Sequence, residues 1–209
     1  QLRSELREID PNNRLLASQT PRRMEAEFVR DNALLIAGLL DNDIGGPSVH
    51  PYQPAHYYDN LQFPDRDYVA DTDERQYRRG VYVHWQRTFL QPMLANFDAP
   101  SREECAVARV VSNTPQQALT LLNDPSFVEA ARTFADRLTG SDAERIDMAY
   151  RYALSRPAKP KEKESLLHFL DEQRKTAQIS GCSRESAETA AWTSLCRVVL
   201  NLHETITIY

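Results

Sequence analysis

Histidine and cysteine are the side chains most able to do chemistry, and in this sequence they are scattered. The five histidines make neither an HExxH nor an HxxxH spacing, so no zinc site from local ligands is predicted; they are His50, His56, His84, His168 and His203. The three cysteines form no CxxC pair and no CxxCH motif for haem. We therefore expect no metal and no cofactor in this segment, with a meeting of His50, His56 and His84 in space as the alternative for a metal.

Nucleophilic chemistry is not indicated either. The sequence has no nucleophile elbow and no phosphate-binding loop. Cys105 follows two glutamates, and acidic neighbours disfavour a reactive thiolate. We interpret Cys105, Cys182 and Cys196 as unpaired thiols, with a disulfide from Cys105 to either of the others as the alternative.

Asp31 is the carboxylate with the most unusual setting. In the predicted first helix it lies on the same face as Phe28 and Leu35, which we expect to be buried. A buried carboxylate is costly unless it is paired or hydrogen-bonded. We expect a structural ion pair at Asp31, and a functional acid is the alternative.

Arginines near residue 80 offer the partner for that carboxylate. The segment 80–86 alternates apolar and polar residues, which indicates a short strand, with a helix as the alternative for so short a segment; Arg78, Arg79 and Arg87 flank it. We predict that one of these three arginines contacts Asp31. Such a contact would fasten the first helix to the segment.

A long irregular region, 42–75, carries four prolines and many aromatic residues. A loop of this length is usually functional or wraps over the core, and its aromatics favour wrapping. In a hydrolase alternative, the loop roofs a pocket in which Asp31, His84, Arg78 and Arg79 are the candidate catalytic residues. In a second alternative, exposed tyrosines of the loop bind carbohydrate. The loop's aspartates are interpreted as a solvated cluster: Asp65, Asp67, Asp71 and Asp73.

The stretch 113–138 organises the predicted fold because it holds two consecutive helix starts. Thr114 and Gln117 make a capping box, and Asp124 followed by Pro125 opens a second helix. The second helix carries one apolar stripe, formed by Phe127, Ala131, Phe134 and Leu138. A stripe of this kind must pack on the flanking helices.

The remaining pattern is also helical. Helices are predicted over 21–40, 115–122, 125–138, 142–154, 161–176 and 184–200. A capping box of Ser101 and Glu104 predicts another short helix, reaching about Val111. The fold class is therefore mainly α: a multi-helix domain with a long Pro/Tyr-rich loop and at most one or two short strands. We expect residues 1–209 to form a single helical domain.

Charge and hydropathy exclude several partners. The 209 residues include 25 basic and 30 acidic side chains, well mixed, for a net charge of −5. A nucleic-acid partner would require a basic face, so none is expected. No apolar run is long enough for a membrane span, and no signal peptide is present in these residues. The sequence opens on Gln1, and we expect it to be the C-terminal part of a larger protein.

Several stretches together resemble one known family. They are DPNNRLLASQTPRRMEAEFVRDNALLIAGLL, GGPSVHPYQP, YRRGVYVHWQRT, FDAPSREECAVARVVSNTPQQALTLLNDPSFVEAAR and AWTSLCRVVLNLHETITIY. This resembles the planctomycete-specific C-terminal domain of unknown function. The resemblance implies an exported bacterial protein, periplasmic or on the cell surface, with a cytochrome-c-like domain upstream. Haem c, where present, would belong to that upstream domain.

The resemblance brings no catalytic residues with it, so function rests on competing expectations. We expect a helical scaffold or interaction domain of a larger exported, redox-associated protein, whose partners are other domains of the same chain. Secreted hydrolases or polysaccharide are further partners that the resemblance suggests. The alternative is a hydrolase or carbohydrate-binding domain acting on polysaccharide. Buried tyrosines with a paired Asp31 favour the scaffold, whereas exposed coplanar tyrosines favour binding and an unpaired Asp31 favours catalysis.

Overall fold

The fold is built from helices, connected by one long irregular region. The structure is a computed structural model that describes residues 2–17, 19, 21–59, 67–86, 89–179 and 183–209. The helices are α1 (Leu2–Ile9), α2 (Ala26–Ala37), α3 (Pro92–Asn96), α4 (Pro115–Asn123), α5 (Pro125–Asp136), α6 (Asp142–Leu154), α7 (Pro160–Ile179) and α8 (Arg184–Leu200). The prediction of a mainly α fold is confirmed.

Two very short strands join distant parts of the chain. Strands β1 (Arg22–Arg23) and β2 (Thr207–Ile208) pair antiparallel, with Arg22 opposite Ile208. The backbone N–H of Met24 continues the contact by donating to the carbonyl of Ile206 at 2.8 Å. The predicted limit of one or two short strands is thus met by the described residues.

The hydrophobic core lies around α5 and α8. Helix α8 packs against both α5 and α7, and α2 packs against α5. The predicted stripe of α5 faces this core, since all its members are buried: Phe127, Ala131, Phe134 and Leu138. Trp192 of α8 is also buried, and its indole N–H donates to Glu188 at 2.8 Å. The indole polar group is therefore satisfied inside the core.

The corner between α4 and α5 forms as its capping residues predict. The capping box of Thr114 and Gln117 is present at the start of α4. At the corner itself, the Asp124 carboxylate accepts from the Ser126 N–H at 2.9 Å and so caps α5. The Asp124 N–H donates to the carbonyl of Thr120 at 2.9 Å and closes α4. One residue therefore ends one helix and begins the next.

The predicted start and face of the first long helix were wrong. Helix α2 begins at Ala26 rather than at residue 21, because residues 22 and 23 pair with β2. Phe28 and Leu35 are 56% and 57% exposed. The buried face instead carries small or branched residues, which allow close packing on α5: Ala26, Val29, Ala33, Leu34 and Ala37. Because α2 carries apolar residues on both of its faces, helical periodicity alone predicted the wrong face to be buried.

Two local predictions between residues 80 and 111 were also wrong. The segment 80–86 is a 3-10 turn over Gly80–Tyr82 followed by an isolated parallel bridge between Val49 and Val83, not a strand. The segment 101–111 is not helical, and every residue in it is exposed. There the Ser101 hydroxyl accepts from the Glu103 N–H at 3.3 Å, which favours a turn over a capping box.

Some residues named from the sequence have no structural account. Arg87, Asp65 and Cys182 lie outside the described residues. Of the other two cysteines, Cys196 is buried in the core, Cys105 is exposed, and both are free thiols. Burial raises the pKa of Cys196 to about 12, which keeps it a thiol at neutral pH.

Candidate functional site

Backbone hydrogen bonds within the irregular region 41–86 hold its first part against its last part. The Val49 N–H donates to the carbonyl of Tyr82 at 2.9 Å, and the His84 N–H donates to the carbonyl of Val49 at 2.8 Å. The Asp41 N–H donates to the carbonyl of Tyr77 at 3.1 Å. These bonds bring residues 49–50 beside residues 83–84, although more than thirty residues separate them in sequence.

Asp31 is held by a backbone amide and by its neighbour Arg30, and not by Arg78 or Arg79; the third predicted arginine, Arg87, lies outside the described residues. Its carboxylate accepts from the Gly80 N–H at 2.6 Å, and its ion pair is with Arg30, at 3.6 Å. Burial raises the pKa of Asp31, and the Gly80 hydrogen bond and the charge of Arg30 offset part of that rise. The predicted fastening of the first helix to the segment 80–86 is confirmed, but a contact with Arg78 or Arg79 is not formed in the described structure.

Arg30 is the important residue that sequence reasoning missed. Its side chain is 2% exposed and donates to the carbonyls of Arg78, at 2.7 Å, and of Gln76. Burial lowers the pKa of Arg30, and the neighbouring carboxylate of Asp31 works against that change. No local signal marks an arginine in a helix as buried, since the carbonyls that receive it lie more than forty residues away.

Arg78 and Arg79 contact groups of the loop and do not form a pocket with Asp31. The Arg78 guanidinium donates to the carbonyls of Pro47, at 2.8 Å, and Gly45, and it stacks over Tyr82 at 4.2 Å from the ring centre. The Arg79 guanidinium lies 5.9 Å from the same ring. Carbonyl contacts and cation–π contacts of this kind hold a loop in one conformation.

His84 lies in a different place, next to His50. The two imidazole rings stack with centroids 4.6 Å apart and an interplanar angle of 29°. They border a hollow of about 360 Å³, lined by His50, Tyr58, Asp67, Tyr68, Val69, His84 and Gln86. Asp31, Arg78 and Arg79 are not among the described residues that line it. The structure therefore separates His84 from the other three candidate catalytic residues.

The third loop histidine does not join this pair. His56 is 83% exposed and pairs with Asp59 at 2.9 Å. Within the described ranges, no group of three or more histidine, cysteine or acidic side chains is arranged to hold a metal ion. A three-histidine arrangement is therefore absent from the described structure.

Three of the four tyrosines of the loop are anchored, as the wrapping interpretation predicts, whereas Tyr52 is exposed. The Tyr57 hydroxyl donates to the carbonyl of Leu90 at 2.8 Å, and the Tyr68 hydroxyl donates to the carbonyl of Pro51 at 2.5 Å. Tyr58 is buried, and its ring meets that of Tyr68 at 80°. Burial raises the pKa of both Tyr57 and Tyr68. The rings fill space over the core and do not form a flat platform.

Two of the loop aspartates have structural partners too. The Asp71 carboxylate accepts from the His50 N–H at 2.7 Å and pairs with Arg75 at 3.3 Å. The Asp73 carboxylate accepts from the Arg75 N–H at 3.1 Å and begins a 3-10 turn. The interpretation of this cluster as solvated is wrong for Asp71, whose side chain is 12% exposed.

The exposed segment 101–111 is a second feature of interest. The side chains of Val107, Val110 and Val111 are 108%, 73% and 65% exposed. Among the described residues, the amides of 104–111 find no hydrogen-bond partner within the chain. An exposed run of valines without partners is unusual for a stable surface.

Comparison with protein families gives a match over most of the chain. A family model described as PSD1, a protein of unknown function (DUF1553), matches residues 1–170. The chain belongs to the PSD1 family. Within the PSD1 match lie α1 to α6, the loop 41–86 and the exposed segment, whereas α8 lies beyond it. Comparison with curated proteins and with solved structures finds no match.

None of the described helices combines the length and the apolar character that crossing a bilayer requires.

Proposed function

We propose that this PSD1 chain is an interaction domain, and that its exposed segment 101–111 binds another domain of the same protein. The observation that carries this proposal is the exposure of Val107, Val110 and Val111, at 65–108%. Burying one such side chain is worth roughly 1.5–3 kcal/mol, so a surface that covers them gains several kcal/mol. Exposed clusters of apolar side chains often mark sites of interaction with another protein surface.

The segment is presented in a defined place, as an interaction surface requires. The Arg109 guanidinium contacts Glu27 of α2 at 2.7 Å and Glu25 at 3.2 Å. At its other end, the Arg102 guanidinium lies 3.6 Å from the ring centre of Trp85. The Trp85 indole N–H donates to the carbonyl of Ser101 at 3.1 Å. These contacts limit the entropy that the segment loses on binding.

An exposed apolar residue of α2 is a chain neighbour of the same ion pair. Phe28, which is 56% exposed, directly follows Glu27, the residue that Arg109 contacts. Val110 directly follows Arg109 in the chain. We therefore include Phe28 in the proposed interaction surface.

The family resemblance suggests the wider setting of this interaction. We propose a larger exported bacterial protein, periplasmic or on the cell surface, with a cytochrome-c-like domain that carries haem c. The present chain would then be its C-terminal scaffold domain, and the proposed partners are the other domains of that chain. Secreted hydrolases and polysaccharide, which the resemblance also suggests, are further proposed partners.

The alternative, a hydrolase or carbohydrate-binding domain, has less support. A hydrolase with Asp31, His84, Arg78 and Arg79 would need these side chains in one pocket, and three of them hold backbone groups or aromatic rings elsewhere. A carbohydrate platform would need exposed coplanar tyrosines, whereas Tyr58 is buried. Under the scaffold proposal, these same residues stabilise the fold.

Hydrogen exchange of the natural full-length protein tests the proposal. If another domain covers the segment, the amides of 104–111 should exchange at least tenfold more slowly in the full-length protein than in the 209-residue chain. A full-length double variant, Val107→Asp with Val110→Asp, should lose that protection. The matched control is Ile179→Asp, because Ile179 is 88% exposed and far from the segment in sequence. Equal exchange in both lengths of chain would overturn the proposal.

A further inference from the structure

We infer that the hollow bordered by His50, His84, Tyr58 and Tyr68 binds a small organic ammonium ion. This site is separate from the proposed interaction surface and does not depend on it. The hollow has a volume of about 360 Å³, which is within the range of small-ligand sites. The argument rests on its rigid walls, its aromatic rings and its charge.

Hydrogen bonds from both backbone and side-chain groups fix the residues of the walls. The His84 N–H donates to the carbonyl of Val49 at 2.8 Å, which aligns His84 with His50. The His50 N–H donates to the Asp71 carboxylate at 2.7 Å, and the Asp71 N–H returns a bond to the carbonyl of His50 at 2.8 Å. The Tyr68 hydroxyl is held by the carbonyl of Pro51. A ligand would therefore find a site that is already formed.

Four aromatic rings contribute to the lining, two imidazoles and two phenols, and they do not lie in one plane. His50 meets His84 at 29° and Tyr68 at 66°, while Tyr58 meets Tyr68 at 80°. Their centroids are 4.6 to 5.5 Å apart along this series. A flat sugar would need coplanar rings, whereas a compact cation gains from each tyrosine face within about 6 Å.

The charge of the hollow points to the same class of ligand. Apart from the two imidazoles, Asp67 is the only side chain with a formal charge at neutral pH among the described residues that line it. The nearby Asp71 is already paired with Arg75, and it also lies 3.9 Å from the His50 imidazole. Arg30 is buried and paired with Asp31 and with backbone carbonyls. The charge that the described lining residues contribute is therefore the carboxylate of Asp67, which attracts an ammonium group.

Choline is a suitable probe because it has an uncharged isostere, 3,3-dimethylbutan-1-ol. We expect the full-length protein to bind choline chloride in the millimolar range at low salt, measured by NMR shifts of the tyrosine and histidine ring protons. Choline should bind about tenfold more tightly than the alcohol, since only choline gains cation–π and charge attraction. Glucose at the same concentrations should leave the ring signals unchanged.

Two aspartate variants separate a specific site from general charge attraction. Asp67→Asn should weaken choline binding about five- to tenfold, because it removes the charge that lines the hollow. Asp59→Asn is the matched control, as Asp59 is 64% exposed and not part of the lining, and it should change the affinity less than twofold. Equal affinity for choline and its isostere, equal effects of both variants, or a response to glucose alone would each overturn the inference.

Discussion

At the scale of single residues, the polar side chains of this chain mostly hold backbone groups in place. Asp31 accepts from the Gly80 amide, and Arg30 and Arg78 donate to loop carbonyls. Gly80 allows this close approach, because a Cβ there would lie 3.0 Å from the backbone of Glu27 and would push the two segments apart. Side chains thus supply hydrogen-bond partners to the backbone of the irregular loop, which in a sheet would come from a neighbouring strand.

The Asp31 contact leads to a prediction with its own control. Asp31→Ala should lower the free energy of unfolding by about 1–3 kcal/mol, because it leaves the Gly80 N–H without an acceptor. Asp31→Asn keeps an acceptor oxygen and removes a buried charge, so it should be closer to the parent than Asp31→Ala. Urea unfolding at pH 7 measures both. Equal losses in the two variants would show that the charge, and not the hydrogen bond, matters.

Glu162 gives a prediction about pH. Two hydrogen bonds from Arg156, at 2.8 and 2.9 Å, lower the pKa of Glu162 from its ordinary 4.5 to about 2. Because the folded-state pKa is the lower one, the pair stabilises at neutral pH and this contribution is lost as the pH falls from about 4.5 to about 2. Since the pair is partly solvated, we expect it to contribute only about 1 kcal/mol to the free energy of unfolding at neutral pH.

Unfolding of Glu162→Gln at two pH values measures this effect. The variant should be about 1 kcal/mol less stable than the parent at pH 7, with a smaller difference at pH 3. The exposed Glu164→Gln on the same helix is the control and should match the parent at both values. A difference for Glu162→Gln that does not change with pH would contradict the prediction.

At the scale of elements, capping residues predicted helices better than apolar patterns predicted faces. The corner at Asp124 follows from side chains that act within three residues, so the sequence contains all the necessary information. The face of α2 depends on how closely α5 can approach, which a single helix does not encode. The failure at 101–111 has a similar cause, because a capping box is helpful only where the following turn can be buried.

The buried stripe of α5 yields a prediction at this scale. Phe134 is fully buried, and Phe134→Ala should lower the free energy of unfolding by roughly 3–5 kcal/mol through lost burial and a cavity. Leu119→Ala on the neighbouring α4 is the control, since Leu119 is 57% exposed, and it should cost less than about 1 kcal/mol. Urea unfolding midpoints give the comparison. An unchanged midpoint for Phe134→Ala would show that the core is not centred on α5.

At the scale of the whole molecule, a helical body supports an irregular layer, 41–86. Sequence reasoning predicted the wrapping of this layer and gave a meeting of His50, His56 and His84 only as an alternative; it did not predict the buried Arg30 or the hollow that Asp67 lines. The reason is physical: many contacts that build the layer join residues more than twenty positions apart. Such contacts depend on the packed body and leave no local pattern.

Arg30 allows the layer to be loosened separately. Arg30→Lys keeps the charge but loses the fork that reaches the carbonyls of residues 76 and 78. We expect hydrogen exchange at the Val49 and His84 amides to rise at least tenfold, with α5 and α8 unchanged. Arg132→Lys, at an exposed position of α5, is the control. Uniform acceleration across the helices would contradict a separable layer.

The pairing of β1 with β2 determines how the molecule responds to force. Arg22 lies opposite Ile208, so the chain before β1 and the chain after β2 leave the ladder at the same end. Tension applied there peels the two residue pairs apart one after another, and antiparallel bonds loaded in this way break singly. We therefore expect this two-residue ladder to be the first part of the molecule to open under tension. Pulling between residues 19 and 209 in an optical trap should give a small first extension at low force, before the helices carry any load.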